Sequence, residues 1–376
     1  MYSSLEIGNM NAFGSNFRVQ IFGESHGEAI GVVVDGVKAG IPLCAEDFMD
    51  DIRRRKSGAK GTTPRIEADE PQILSGIFEG HTTGAPIAII FRNGNTRSGD
   101  YEALNAVPRP GHADYTAQVK WGGFNDPRGG GHFSGRLTLP LVAAGVIAKK
   151  QCGFGFEASL TEIGGVSDQS RWDSLLEETA REGDSLGGIV ECKVTGVPAG
   201  LGNPFFDSVE SLISHAVFAI PGVRGIEFGD GFAASRMLGS EHNDPLAIVA
   251  GDTCGSSTAS LRSAPPFASL TVPPLNVPRV AVVSPAEVSP AALSATVGTS
   301  KNGAGGINGG ITNGAPIVFR VAFKPTSSIS KGQQTLNIKT GETVTLNVPG
   351  RHDVCFALRT PVIVEAVAAI VLADLA

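Results

Sequence analysis

Residues 17–37 read FRVQIFGESHGEAIGVVVDGV, two apolar runs divided by a short polar segment. Phe17–Phe22 and Gly31–Val37 are rich in β-branched and aromatic residues and read as strands, the second with apolar residues on both faces. Gly23-Glu24-Ser25-His26-Gly27 between them reads as a tight polar turn. Its glycines would let backbone approach a ligand closely, and His26 could serve as an acid near neutral pH. A plain hairpin turn with an exposed histidine accounts for the same five residues.

Outward from this pair, Glu46–Arg55 has the spacing of a helix with Phe48, Met49 and Ile52 inward and three arginines in its last turn. Ile87–Phe91 reads as an apolar strand, Leu139–Lys150 and Val209–Phe218 as helices, Pro316–Phe323 as an alternating strand and Val362–Leu375 as a closing apolar helix. Strands and helices are interspersed without the regular alternation of a doubly wound sheet, so an α+β architecture is expected. Between Thr253 and Thr299 the only charged residues are Arg262, Arg279 and Glu287 amid Ser, Ala and Pro, so the stretch reads as a long loop in which the valines could form a short strand.

Composition excludes several classes of function. No apolar run approaches the ~18 residues of a membrane span, and Met1–Ala12 has no basic head followed by an apolar stretch, so a soluble, cytoplasmic protein is expected. Cys44, Cys152, Cys192, Cys254 and Cys355 are scattered without a CxxC pair, which argues against a zinc site or a disulfide framework. A net charge of −7 argues against general nucleic-acid binding. The 49 glycines gather beside Arg, Lys and His, as a receptor for a small polyanion requires.

Five further stretches could carry chemistry. Arg53 to Lys60 ends a helix in cations; complementing the helix dipole explains one or two of them, but not Lys60, beyond the helix in a loop. In Arg109-Pro110-Gly111-His112-Ala113-Asp114 a carboxylate follows a histidine by two positions, either a tuned acid/base or an Asx-type turn. Arg128-Gly129-Gly130-Gly131-His132-Phe133-Ser134-Gly135-Arg136 leads glycine-rich backbone into a helix N-terminus between two arginines, a good anion receptor that matches neither the Walker nor the dinucleotide pattern. Lys324-Pro325-Thr326-Ser327-Ser328 sets a lysine and three hydroxyls at a strand end, suited to a terminal phosphate or to a solvated turn. Arg351-His352-Asp353 is either an ion pair before a helix or an anion-binding arginine beside a carboxylate base. Taken together they suit acid–base chemistry on a phosphorylated substrate.

FRVQIFGESHG, DIRRRKSG, ILSGIFEGHTTGAPI, RPGHADY, RGGGHFSGR, DSLGGIVE, GIEFGDGF, GSEHND, GGINGGITNG, KPTSSI and RHDVC occur in this order from Phe13 nearly to the C-terminus. In this ordered set the chain resembles the chorismate synthase family. The resemblance begins near Met10, making residues 1–9 an extension and 10–376 a single domain with an inserted loop at about 253–299. It implies a sandwich with helices layered between two antiparallel sheets, usually a homotetramer. It also implies a 1,4-anti elimination of phosphate and the C6 hydrogen from 5-enolpyruvylshikimate 3-phosphate. Reduced FMN is required, without net redox change.

By the same resemblance His26 protonates the departing phosphate, His112 lies near the flavin pyrimidine, and Asp353 takes part in removing the C6 proton. Arg54 and Lys60 stand at the active-site mouth, and Arg109, Arg136 and Arg351 meet substrate or flavin oxyanions. The implied flavin set is His132, Phe133, Ser134, Pro221, Gly222, Gly309, Lys324, Pro325, Thr326, Ser327, Ser328 and Arg351. His132 and Lys60 stand where many members have arginine, and Lys60 keeps the charge without the planar fork. No pyridine-nucleotide site is recognisable in 253–299. An external flavin reductase is therefore expected, with NADPH acting only as the source of reduced flavin.

Overall fold

The computed structural model describes residues 11–63, 67–94, 106–249, 296–348 and 352–376. Arg18–Gly23 and Ala29–Asp35 pair antiparallel, with Val19 opposite Val34 and Ile21 opposite Val32. Ala12–Phe13 joins one side of this pair, and Ile87–Arg92 followed by Gln72–Ile73 the other, making a five-stranded antiparallel sheet. The second strand ends at Asp35, short of the expected Val37. Gly36 turns there with φ +80°, and a Cβ on it would sit 1.7 Å from the Asn16 carbonyl oxygen.

A second sheet has the order Val223–Phe228, Ile317–Phe323, Gly188–Thr195, Gly155–Ile163, again antiparallel throughout. Ile317–Phe323 alternates buried and half-buried residues as its sequence suggests.

Two helices fill the space between the sheets. Thr138–Cys152 packs on the first sheet and Pro361–Leu375 on the second, and they pack on each other. Both are apolar around nearly the whole circumference, as a helix covered on all sides must be. Their axes approach where Gly145 meets Ala366: a Cβ on Gly145 would lie 2.3 Å from that of Ala366. The expected sandwich is therefore observed. Glu46–Arg55 is a 3-10 turn, Ala45–Phe48, followed by the helix Met49–Arg55, with Phe48 and Ile52 buried. The expected extension at residues 1–9 and the inserted loop up to residue 295 lie outside the described residues. At the end of that stretch, Thr296–Thr299 pairs as a strand with Leu246–Val249.

The closing helix also holds the segment Ser15–Phe17. Asp374 Oδ1 accepts hydrogen bonds from the backbone N–H groups of Ser15 (2.7 Å), Asn16 (2.5 Å) and Phe17 (2.8 Å). Asp374→Ala leaves Phe17 N–H buried without this acceptor and is expected to cost about 1–3 kcal/mol, read as a shift of the denaturant midpoint.

Candidate active site

A cleft of about 1610 Å³ opens beside the N-terminal end of the helix Thr138–Cys152. One wall is the segment Arg128–Arg136, where Gly129, Gly130 and Gly131 have φ of 61°, 83° and 53°. Glycine is required at Gly129 for a second reason: a Cβ there would lie 2.6 Å from the His26 ring and 2.7 Å from Ser25 Oγ. The bare backbone thus lets this loop lie directly on the Gly23–Gly27 turn, and Ser25 N–H donates to the Gly131 carbonyl at 3.1 Å. His26 is buried behind Gly129 and is not itself part of the cleft lining. Ser134 caps the short turn that leads into the helix, its Oγ accepting from Arg136 N–H at 3.3 Å.

A second wall concentrates charge. Arg55 donates to Thr138 Oγ1 (3.0 Å), to the Gly135 carbonyl (3.1 Å) and to Asp69 Oδ2 (3.4 Å). Asp69 Oδ1 pairs with Arg136, which also donates to Asn93 Oδ1 at 2.9 Å. Arg359 donates to Asp353 Oδ2 at 2.7 Å, while Asp353 Oδ1 accepts from Thr63 N–H at 2.8 Å. Three guanidiniums thus face two carboxylates, all five residues lining the cleft. Burial, reinforced by Arg359 alongside, pulls Arg55 down to about 9, still protonated at neutrality. A desolvated cation surplus of this kind is stabilised by an incoming oxyanion.

Neither Arg54 nor Lys60 is part of the cleft lining. Consecutive helical residues point about 100° apart, and Arg54 turns to Glu365 and Asp51 while Arg55 turns to the cleft. Glu365 in turn pairs with Lys149 at 2.8 Å, an internal charge cluster between helices. Lys60 pairs with Glu177 (2.7 Å) and Asp173 (3.3 Å), both on the helix Trp172–Arg181. Arg351 lies outside the described residues.

The third wall combines Arg109, His112 and the segment Lys324–Ser328. Arg109 is spent internally: Nε donates to Asp114 Oδ2 at 2.7 Å, one terminal nitrogen to Asp114 Oδ1 at 2.7 Å and the other to Ser328 Oγ at 2.9 Å. It clamps two segments together and does not present a free fork to an oxyanion. Lys324 Nζ donates to Ser327 Oγ at 2.6 Å, and Lys324 N–H to the Gly222 carbonyl at 2.9 Å, which ties Pro221 and Gly222 into the same wall. His132 holds Gly23 O (2.8 Å) and Asn11 Oδ1 (3.1 Å), while Phe133 packs against Trp121 with ring centroids 5.6 Å apart. Gly309 is not in the lining; it turns the small hairpin between Ile307–Asn308 and Ile311–Thr312.

Sequence reasoning missed Arg55, Asp69 and Arg359. The first was one residue from the arginine chosen. Asp69 carries no motif signal, and Arg359 could have been found only as a cation six residues after Asp353, just before Pro361 starts the closing helix.

No group of three or more metal-binding side chains occurs among the described residues, and no described helix is long and apolar enough to cross a membrane. The sandwich, the two imidazoles, the carboxylate Asp353 and the surplus of buried arginines define an enzyme built for acid–base chemistry on an anionic substrate. The family model of chorismate synthase matches residues 17–376. A chorismate synthase of Chitinophaga pinensis is 56% identical over 97% of this chain and 96% of its own length. Another, of Dehalococcoides mccartyi, is 41% identical over 97% and 96%. A solved chorismate synthase structure superposes with a TM-score of 0.64 over 96% of this chain and 92% of that one; at 23% identity this likeness concerns the fold. The chain belongs to the chorismate synthase family and is a lyase: it converts 5-enolpyruvylshikimate 3-phosphate to chorismate in dependence on FMN.

The cleft fits such a cofactor. Its volume exceeds the ~300–1,000 Å³ of a site for one small ligand, leaving room for flavin and substrate together. Thr326 Oγ1, Asn125 Oδ1 and Arg359 Nε, from residues of its lining, are buried without a hydrogen-bond partner among the described residues. Such atoms are satisfied by a polar ligand.

Proposed function

We propose that this cleft carries out the elimination with His26, His112 and Asp353 in distinct roles. The observation that supports it is convergence: residues from GESHG, RPGHAD, RGGGHFSGR, KPTSS and RHD, scattered over 330 positions of sequence, surround a single cleft. Reduced FMN, when bound, supplies the electron density that eases loss of phosphate. Lys324 to Ser328, Phe133, Ser134, His132, Pro221 and Gly222 would hold it, with Thr326 Oγ1 an available partner.

The chain's own groups do the rest. Arg55, Arg136 and Arg359 neutralise substrate oxyanions, so a departing phosphate leaves into a field already positive. His26, behind the bare backbone of Gly129, supplies the proton that makes phosphate a better leaving group. Asp353, hydrogen-bonded by Arg359 and Thr63 N–H, is the carboxylate that takes part in removing the C6 proton. His112 stands on the opposite wall, a hydrogen-bond partner for the flavin pyrimidine.

The same reading takes residues 10–376 as one domain and the enzyme as a cytoplasmic homotetramer. An external reductase supplies the flavin, and NADPH enters only there. The exposed Phe205, Phe206 and Phe232 are apolar surface that subunit association would cover.

With photoreduced FMN under anaerobic conditions the protein should yield chorismate, and with NADPH plus oxidised FMN alone it should not. His26→Ala and His112→Ala should each lower turnover by roughly 10²-fold. Absence of product from folded protein would overturn the reaction, and wild-type rates in both variants would overturn the assigned roles.

A further inference from the structure

We infer that Asp114, gripped by Arg109, is a positioning residue that holds His112 in the tautomer protonated on Nδ1, so that Nε2 is the nitrogen offered to the cleft. The inference rests on the role given to His112 above, but its decisive measurement does not need turnover.

His112 Nδ1 lies 2.6 Å from Asp114 Oδ1 and 3.0 Å from a terminal nitrogen of Arg109. Both cannot be hydrogen bonds to the same neutral ring nitrogen. If Nδ1 carried a lone pair, Arg109 could donate to it, but that lone pair would face a carboxylate oxygen at 2.6 Å. If Nδ1 carries the proton, it donates to Oδ1 and the Arg109 N–H donates to the same oxygen at 2.7 Å. Only the second arrangement satisfies every atom.

It requires Asp114 to be ionised, and therefore acceptor only. Burial opposes ionisation, but the hydrogen bonds from Arg109 and His112 outweigh it and hold the carboxyl well below the usual carboxylate range. Arg109 also donates to Oδ2 from both Nε (2.7 Å) and its backbone N–H (3.0 Å), so the carboxylate cannot rotate away without losing three bonds. Asp114 opens the helix Asp114–Lys120, and a helix start favours an acidic residue. That preference accounts for the charge but not for the approach to Nδ1.

With Nδ1 engaged, the far edge of the ring is left for chemistry. The position a Cβ would take on Gly130 is 3.5 Å from Nε2, so this nitrogen faces the glycine loop that walls the cleft. Nε2 is then an acceptor in the neutral ring and a donor once protonated, as a group facing a charge-accumulating ligand must be.

Heteronuclear NMR of protein carrying nitrogen-labelled histidine tests this without substrate or flavin. The His112 resonances are identified by their absence in His112→Asn, in spectra taken at a pH where the imidazole is neutral. A pyrrole-type Nδ1 and pyridine-type Nε2 are expected. The opposite pattern, or a fast-exchanging mixture, overturns the inference. In Asp114→Asn the two forms should mix, and turnover should fall on the order of 10²-fold or more. An unchanged spectrum in that variant also overturns it. Should Asp114→Asn not fold, the wild-type spectrum decides alone. Wild-type protein that shows the expected tautomer but forms no chorismate would separate failure of the functional reading from failure of this one.

Discussion

Arg55→Ala is expected to lower kcat/KM by about 10³-fold, while Arg54→Ala leaves turnover near wild type; steady-state kinetics of the two variants check it. The lost contact is a buried, charge-assisted one, for which truncation costs about 2–5 kcal/mol, and each 1.36 kcal/mol is a factor of about ten. Arg55 is 3% exposed and lines the cleft between Arg136 and Arg359. Arg54 neutralises Glu365, which keeps Lys149 as a second partner at 2.8 Å and donates no group to the site. Its removal should weaken the helix contacts rather than the chemistry. Equal losses of activity in the two variants would show that the helix presents both arginines to the substrate.

The second large effect concerns Asp69. Its carboxylate is the bridge between Arg55 and Arg136, both buried and carried by different segments. Asp69→Ala leaves two buried guanidiniums without their shared counter-charge, and breaking a buried pair in this way costs about 3–5 kcal/mol. The backbone adds to the cost, because Asp69 has φ +55°, a region Asp and Asn tolerate better than Ala. Asp69→Asn should therefore lose distinctly less than Asp69→Ala. Thermal unfolding of both variants checks the order. Inorganic phosphate should recover part of the loss, because an anion bound to the folded state replaces the missing charge by mass action. Equal stability of the two variants and no response to phosphate would refute the bridge.

Much of the molecule was legible from local pattern. Ile317–Phe323 alternates because one face of its strand is buried, and Thr138–Cys152 and Pro361–Leu375 are apolar all round because each is enclosed between a sheet and the other helix. Element ends were less legible. Gly36 stops its strand on account of Asn16, a residue outside it. The glycine-rich, cation-flanked stretches were visible as anion receptors, and their order pointed to the family.

What sequence by itself determined is the set of chemically able segments: the two imidazoles, Asp353, the glycine loop and the Lys324–Ser328 turn. Which atoms of those segments face the cleft was decided only by the tertiary structure. Helical rotation turns Arg55 to the cleft and Arg54 to Glu365. An ion pair with Asp114 turned Arg109 inward, and a bare Gly129 lets the cleft wall lie directly on His26, about a hundred residues away in sequence. Local propensity and hydrophobic period depend on neighbours along the chain, and a motif can be read from them. Charge pairing and side-chain direction depend on neighbours in space, supplied here by elements such as Asp69 and Arg359 that carry no pattern of their own.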